Sequence, residues 1–162
     1  MKVIIAGSRS IKNYSTVRAA IIESGLWTRY GKSIIVVSGK ANGVDTLGEE
    51  FAAKAGLKVI SKPAAWDNIK APGARVQTRK WDGKKYNALA GHWRNEEMAI
   101  EADAALIVWD GKSTGSVDMM DRMIEKGKDV YLFPLHIDVD LLDELEKKDV
   151  FIIYPNSLTI TE

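Results

Sequence analysis

Ala105-Leu106-Ile107-Val108-Trp109 runs directly into Asp110-Gly111-Lys112-Ser113-Thr114-Gly115-Ser116. An unbroken apolar run of strand length that ends in glycines and small hydroxyl residues, and then opens a helical pattern, reads as a βα unit. In such a unit backbone N–H groups approach an anion closely, and the positive end of the following helix favours its charge. The same order of residues occurs twice upstream. Val3 to Ala6 leads into Gly7-Ser8-Arg9, and Ile34 to Val37 leads into Ser38-Gly39-Lys40-Ala41-Asn42-Gly43. One such turn answers to backbone geometry alone. Three in one chain, carrying Arg9, Lys40 and Lys112 between them, point to a shared phosphate-binding face.

Working outward, further apolar runs at Lys58 to Ile60, Val130 to Phe133 and Val150 to Tyr154 have the length and β-branched content of buried strands. Helical patterns lie between them. Ser15 is expected to cap a helix with Val17, Ala20 and Ile21 on one face, and Val44, Leu47, Phe51 and Ala55 recur at helical spacing until Gly56. A third helix spans about His92 to Ala102, and a fourth starts near Ser116 and stops before Gly127. Continuously apolar strands alternating with helices predict an α/β fold: a single Rossmann-like domain over residues 1–162, its sheet mainly parallel and covered by helices on both faces. Ligands of such folds sit outside the carboxyl ends of the strands, where all three glycine turns fall.

Composition narrows the function classes. The chain has 162 residues, 46% of them hydrophobic, enough for a core without covalent staples. Its net charge of +1 creates no overall field that calls for nucleic acid or a membrane. With no cysteine and two histidines, His92 and His136, disulfides and thiolate sites are excluded, and neither a metal site nor a cofactor is expected. The first residues are too short an apolar run for a signal peptide and no segment reads as a membrane span, so a cytoplasmic location is expected.

Charge is unevenly placed. Lys62 to Arg94 holds eight Lys and Arg against two Asp, whereas Asp138 to Asp149 holds six acids and two lysines. Within the basic stretch, residues 63–90 break the helix–strand alternation and carry Trp66, Trp81 and Tyr86, an insert with no clear periodicity. Basic residues interleaved with aromatics can stack on and neutralise a nucleotide or a single strand. A solvated surface loop pinned by one or two aromatics has the same composition.

Individual side chains sharpen the reading. Asp45 falls in the first turn of a helix, where an acid suits the helix dipole and can also hold ribose hydroxyls. Arg94 sits at a helix start, where a cation opposes the dipole unless it faces a phosphate, and Asn95 beside it offers a donor and an acceptor. His92, beside them, has no recognisable acid partner in the sequence. Trp109, ending a central strand, reads as core.

Gly7-Ser8-Arg9, Ser38-Gly39-Lys40-Ala41-Asn42-Gly43-Val44-Asp45, Ala90-Gly91 with Arg94, Asn95 and Met98, and Trp109-Asp110-Gly111 with Thr114-Gly115-Ser116, Asp118 and Met119 resemble, in order and spacing, the SLOG superfamily. Within it the pattern is most similar to the YspA-like group of small, often phage-borne proteins, over roughly residues 1–134. The resemblance implies a Rossmann-like fold and a nucleotide-type ligand. Relatives include the DNA-processing protein A, which holds single-stranded DNA, LOG phosphoribohydrolases, which cut the N-glycosidic bond of nucleoside monophosphates, and sensor domains for nucleotide-derived signals. Related proteins commonly dimerise, and a homodimer is left open here.

The departure from the hydrolase pattern bears on chemistry. Aligning Gly115-Ser116 with the Gly-Thr pair of the phosphoribohydrolases puts Met119 where their glutamate stands. Glycosidic cleavage develops oxocarbenium-like charge that a carboxylate stabilises and a methionine does not. Asp118 and Asp45 are the candidate catalytic substitutes. The expected ligand-binding residues are Gly7, Ser8, Arg9, Ser38, Gly39, Lys40, Asn42, Gly43, Asp45, Trp66, Arg94, Asn95 and Gly111 to Ser116. The reading is a nucleotide-binding protein that senses or sequesters its ligand. The alternatives are an N-glycosidase of the phosphoribohydrolase type and, not favoured by net charge, a single-strand nucleic-acid binder.

Overall fold

In a computed structural model that describes residues 1–155 and the backbone of 159–161, the six apolar runs become the six strands of one parallel sheet. The elements in chain order are β1 (Lys2–Gly7), α1 (Tyr14–Glu23), α2 (Leu26–Tyr30), β2 (Ile35–Ser38), α3 (Val44–Ala55), β3 (Lys58–Ser61), β4 (Val76–Thr78), β5 (Lys85–Asn87), α4 (Ala90–Glu101), β6 (Ala104–Trp109), α5 (Thr114–Glu125), β7 (Asp129–Pro134), β8 (His136–Asp138), α6 (Val139–Glu146), β9 (Phe151–Ile152) and β10 (Thr159–Thr161). The main sheet has the order β3-β2-β1-β6-β7-β9. Its central seam pairs Val3 to Gly7 with Ala104 to Val108.

The continuous hydrophobicity of the strands has a direct cause. Along β1 and β6 successive side chains enter opposite cores: Val3, Ile5, Leu106 and Val108 pack with α1 and α3, while Ile4, Ala6, Ile107 and Trp109 pack with α4, α5 and α6. Both faces are covered, so neither face of a central strand tolerates polar residues. The expected architecture is therefore the observed one.

Three expectations change in detail. Asn13, not Ser15, caps α1: its Oδ1 accepts from the Ser15 N–H at 2.9 Å, because the helix starts at Tyr14, two residues earlier than a Ser15 cap implies. The insert is not structureless, since β4 and β5 pair antiparallel as a hairpin. Its turn signal, Asp82-Gly83, is legible in the sequence, and Gly83 takes the positive φ of 69° that the turn demands. Finally, the expected strand at Val150 to Tyr154 shortens to Phe151–Ile152 at the sheet edge. Among the described residues no helix is long and apolar enough to cross a membrane.

Candidate ligand cleft

The sheet grows in one direction from β1 through β2 to β3 and in the other from β6 through β7 to β9, so the chain reverses between β1 and β6. Loops leaving those two strands diverge to opposite faces and leave a crevice. A cleft of about 560 Å³ occupies that place, within the size range of small-molecule sites.

The loop after β1 contributes Gly7, Arg9 and Ser10; the loop after β6 contributes Asp110, Lys112 and Ser113. Thr114, Gly115, Ser116 and Met119 come from the first turns of α5, and Gly91, His92, Arg94, Asn95 and Met98 from α4. Asp45 closes the side toward α3, and Trp66 from the start of the insert forms a wall. The Trp66 ring packs on Gly91, where an added Cβ would lie 2.9 Å from it, and the Trp66 carbonyl accepts the Asn87 N–H at 2.7 Å. A Cβ built on Gly115 meets nothing within 4 Å, so the start of α5 is open to the cleft.

Electrostatics set the cleft's preference. Among the described residues, the Arg9 and Lys112 side chains have no hydrogen-bond or ion-pair partner, and both are exposed. Arg94 is half-buried; its Nη1 donates to the Gly39 carbonyl and its Nε to Asn95 Oδ1 at 3.1 Å. Burial lowers its pKa, Asp45 counteracts and Arg9 adds to the lowering. Asp45 is buried, and loss of hydration pushes its pKa up to about 6 despite the neighbouring Arg94 and the N–H groups of Ala41 and Gly39. Asp110 behaves oppositely. Burial opposes its charge, yet the Ser10 hydroxyl at 2.7 Å and the N–H groups of Lys112 and Ser113 at 2.9 and 3.0 Å hold it down to about 2.

Eight predicted residues do not line the cleft. Ser8 is fully buried and its Oγ accepts the Asp110 N–H at 2.9 Å, tying the β1 and β6 loops together. Ser38 is buried and accepts the Lys40 N–H at 3.2 Å, while Lys40 itself pairs with Glu49. Asn42 is exposed away from the cleft. Gly39, Gly43 and Gly111 act by close approach: a side chain at Gly43 would meet Ser8 and Arg9, and one at Gly111 the His136 carbonyl. Asp118 lies behind the cleft, where it accepts from Asn95 Nδ2 at 2.9 Å and Arg122 Nε at 3.0 Å. Burial opposes its charge, but Arg122, Asn95 and His92 together hold its pKa below the usual carboxylate range.

Among the cleft residues that the sequence reading did not name as ligand-binding are Ser10, Gly91, His92 and Asp110. Asp110 was legible as the first residue of the third turn; Ser10 is placed by its hydroxyl bond to Asp110, and Gly91 and His92 depend on how α4 crosses the sheet. Trp109 is core, with Nε1 donating to the Ser113 carbonyl at 3.0 Å.

The fold and the cleft together define a Rossmann-like α/β protein with a cationic crevice at the reversal of strand order. Residues 1–68 match the model of the YspA, cpYpsA-related SLOG family, the superfamily that the motifs of the sequence resemble. No curated protein matches the chain. Among solved structures it is similar to DNA processing protein A from Streptococcus pneumoniae, at 21% identity and a TM-score of 0.66 over 94% of this chain and 58% of that one. It is also similar to the Helicobacter pylori DNA processing protein A, described by its single-stranded DNA binding mode, at 22% identity and a TM-score of 0.62 over 96% and 76% of the two chains. The molybdenum cofactor binding protein of Rippkaea orientalis follows at 16% identity and 0.57, over 93% and 87%. At these identities the likeness is one of fold. The present chain spans 58% of the length of the pneumococcal protein.

Proposed function

We propose that the cleft captures the phosphate of a nucleotide or nucleotide-derived ligand and leaves its glycosidic bond intact. The observation that carries this reading is the convergence of Arg9, Arg94 and Lys112 on the open start of α5. Three cations around uncapped helical N–H groups suit a phosphate, and a guanidinium fork adds directional contacts. Met119, buried at 2% exposure on the cleft wall, supplies no carboxylate where the related hydrolases have one. The ligand is then sensed or sequestered as an intact nucleoside phosphate as far as its base is concerned.

Calorimetric titration with AMP and a panel of nucleoside monophosphates and dinucleotides, with chromatography for free base, tests both halves. Binding without base release is expected. Absence of binding across the panel defeats the phosphate reading, and free base whose release is lost in Asp118→Asn defeats the intact-bond half. A second reading has its own observation. Trp81 at the hairpin tip is 79% exposed, with the Arg79 guanidinium 5.0 Å from its ring, and lysines 80, 84 and 85 flank it, a surface suited to a single strand. Salt-sensitive oligonucleotide binding that Trp81→Ala weakens, with no nucleotide bound, favours that alternative.

A further inference from the structure

Across the contact between α4 and α5, His92 Nδ1 lies 3.2 Å from Asp118 Oδ1. The other carboxylate oxygen is occupied by Asn95 Nδ2 at 2.9 Å and Arg122 Nε at 3.0 Å. Arg122 is anchored in turn, donating from Nη1 to Glu96 Oε2 at 2.8 Å, and Lys126 pairs with the same Glu96. Asp118 is therefore held in one orientation with a single oxygen left for the imidazole. It stands behind the cleft, whereas the His92 ring lines it with about half of its side chain (51%) exposed.

A carboxylate on Nδ1 selects the tautomer whose Nε2 is unprotonated and free to take a proton. No other group on the cleft wall is as well placed for that task. Asp45 is buried beside Arg94, and both oxygens of Asp110 are engaged by Ser10, Lys112 and Ser113. The charge of the surroundings selects the reaction. Developing positive charge on a sugar is disfavoured among Arg9, Arg94 and Lys112, whereas the negative charge that builds on phosphoryl oxygens under attack is stabilised by them.

We propose that His92, positioned by Asp118, is a general base for hydrolysis of a phosphoester bond in a nucleotide-derived ligand of this cleft. The inference rests on the phosphate-binding reading above. Water attacks phosphorus as its proton passes to His92 Nε2. The new O–P bond forms, the P–O ester bond breaks with its electron pair on the leaving oxygen, and the proton leaves His92 for that oxygen or for solvent. His92 is the catalytic residue; Asp118 is a positioning residue.

The probe is the 4-nitrophenyl ester of thymidine 5′-monophosphate, followed by nitrophenolate release, with AMP binding measured in parallel. His92→Ala is expected to lower kcat on the order of 100-fold at little changed KM, with partial recovery on adding imidazole. Asp118→Asn is expected to lower kcat about tenfold alone and to add nothing in the His92→Ala background, which a merely structural role does not predict. A wild-type protein that binds AMP but releases no nitrophenolate overturns the dyad and leaves the phosphate reading standing. Failure to bind AMP removes the reading beneath it. A rate that survives His92→Ala, or one that imidazole does not restore, also overturns the proposal.

Discussion

Arg94 joins two roles that the sequence alone separates poorly. Its Nη1 bond to the Gly39 carbonyl braces α4 against the β2 loop, while the same guanidinium lines the cleft. Arg94→Ala is expected to weaken AMP binding about ten- to a hundredfold, from loss of a charge-assisted contact worth roughly 1.5–3 kcal/mol. A second, smaller loss of about 1 kcal/mol in stability follows from the unpaired Gly39 carbonyl, and lysine recovers only part of the affinity. Unchanged calorimetric affinity with a lowered melting point makes the residue a brace alone. Asp45 makes a prediction of opposite sign to most acids. With a folded pKa of about 6 against about 3.9 unfolded, the native state binds the extra proton. Its contribution is fully present below pH ~4 and is lost as pH rises through ~6, in total about 3 kcal/mol. Asp45→Asn should flatten this part of the stability profile in denaturant titrations between those pH values; an unchanged slope rejects the burial argument.

At the scale of elements, the insert divides into a part that serves the cleft and a part that does not. Trp66 is held on Gly91 at the start of α4, edge-on to Tyr86 at 6.4 Å, whereas Trp81 sits on the exposed turn of the hairpin. The two tryptophans should therefore report differently. Tryptophan fluorescence is expected to change on AMP binding in the wild type and in Trp81→Phe, and to lose most of that change in Trp66→Phe. The reverse pattern would place the ligand on the hairpin. The sequence marked this segment by its lack of period, although Asp82-Gly83 carries a hairpin signal. What could not be read was which aromatic turns inward, because that depends on the Asn87 N–H meeting the Trp66 carbonyl across twenty residues of chain.

For the whole molecule, the seam between β1 and β6 is both the centre of the core and the floor of the cleft. Gly7 ends β1 where the Val108 carbonyl passes too close for any side chain. Gly7→Ala forces the two central strands apart and is expected to cost about 3 kcal/mol, read as a lower denaturant midpoint with little change in slope. A midpoint equal to that of the wild type shows that the seam relaxes freely, and the rigid floor argued here is then absent. Because the cleft straddles this seam, a destabilised Gly7 variant should also lose AMP affinity.

The strand runs, the helix spacing and the glycine turns determined the α/β class, the parallel sheet and the edge where the cleft lies. These are local patterns, and strands buried on both faces leave a continuous apolar signature that survives without any knowledge of neighbours. Cleft membership was legible for most residues of the β1 and β6 loops and the start of α5, and for Asp45, Trp66, Arg94 and Asn95. Only the tertiary structure separated Arg9 and Lys112, which face the cleft, from Lys40, which turns from the β2 loop to Glu49 on α3. It alone brought Asp118 to His92, since a helix shows which residues share its face but not which face of another helix it will meet. The acid partner missing from the sequence around His92 stands 26 residues further on, and the packing of α4 on α5 supplies it.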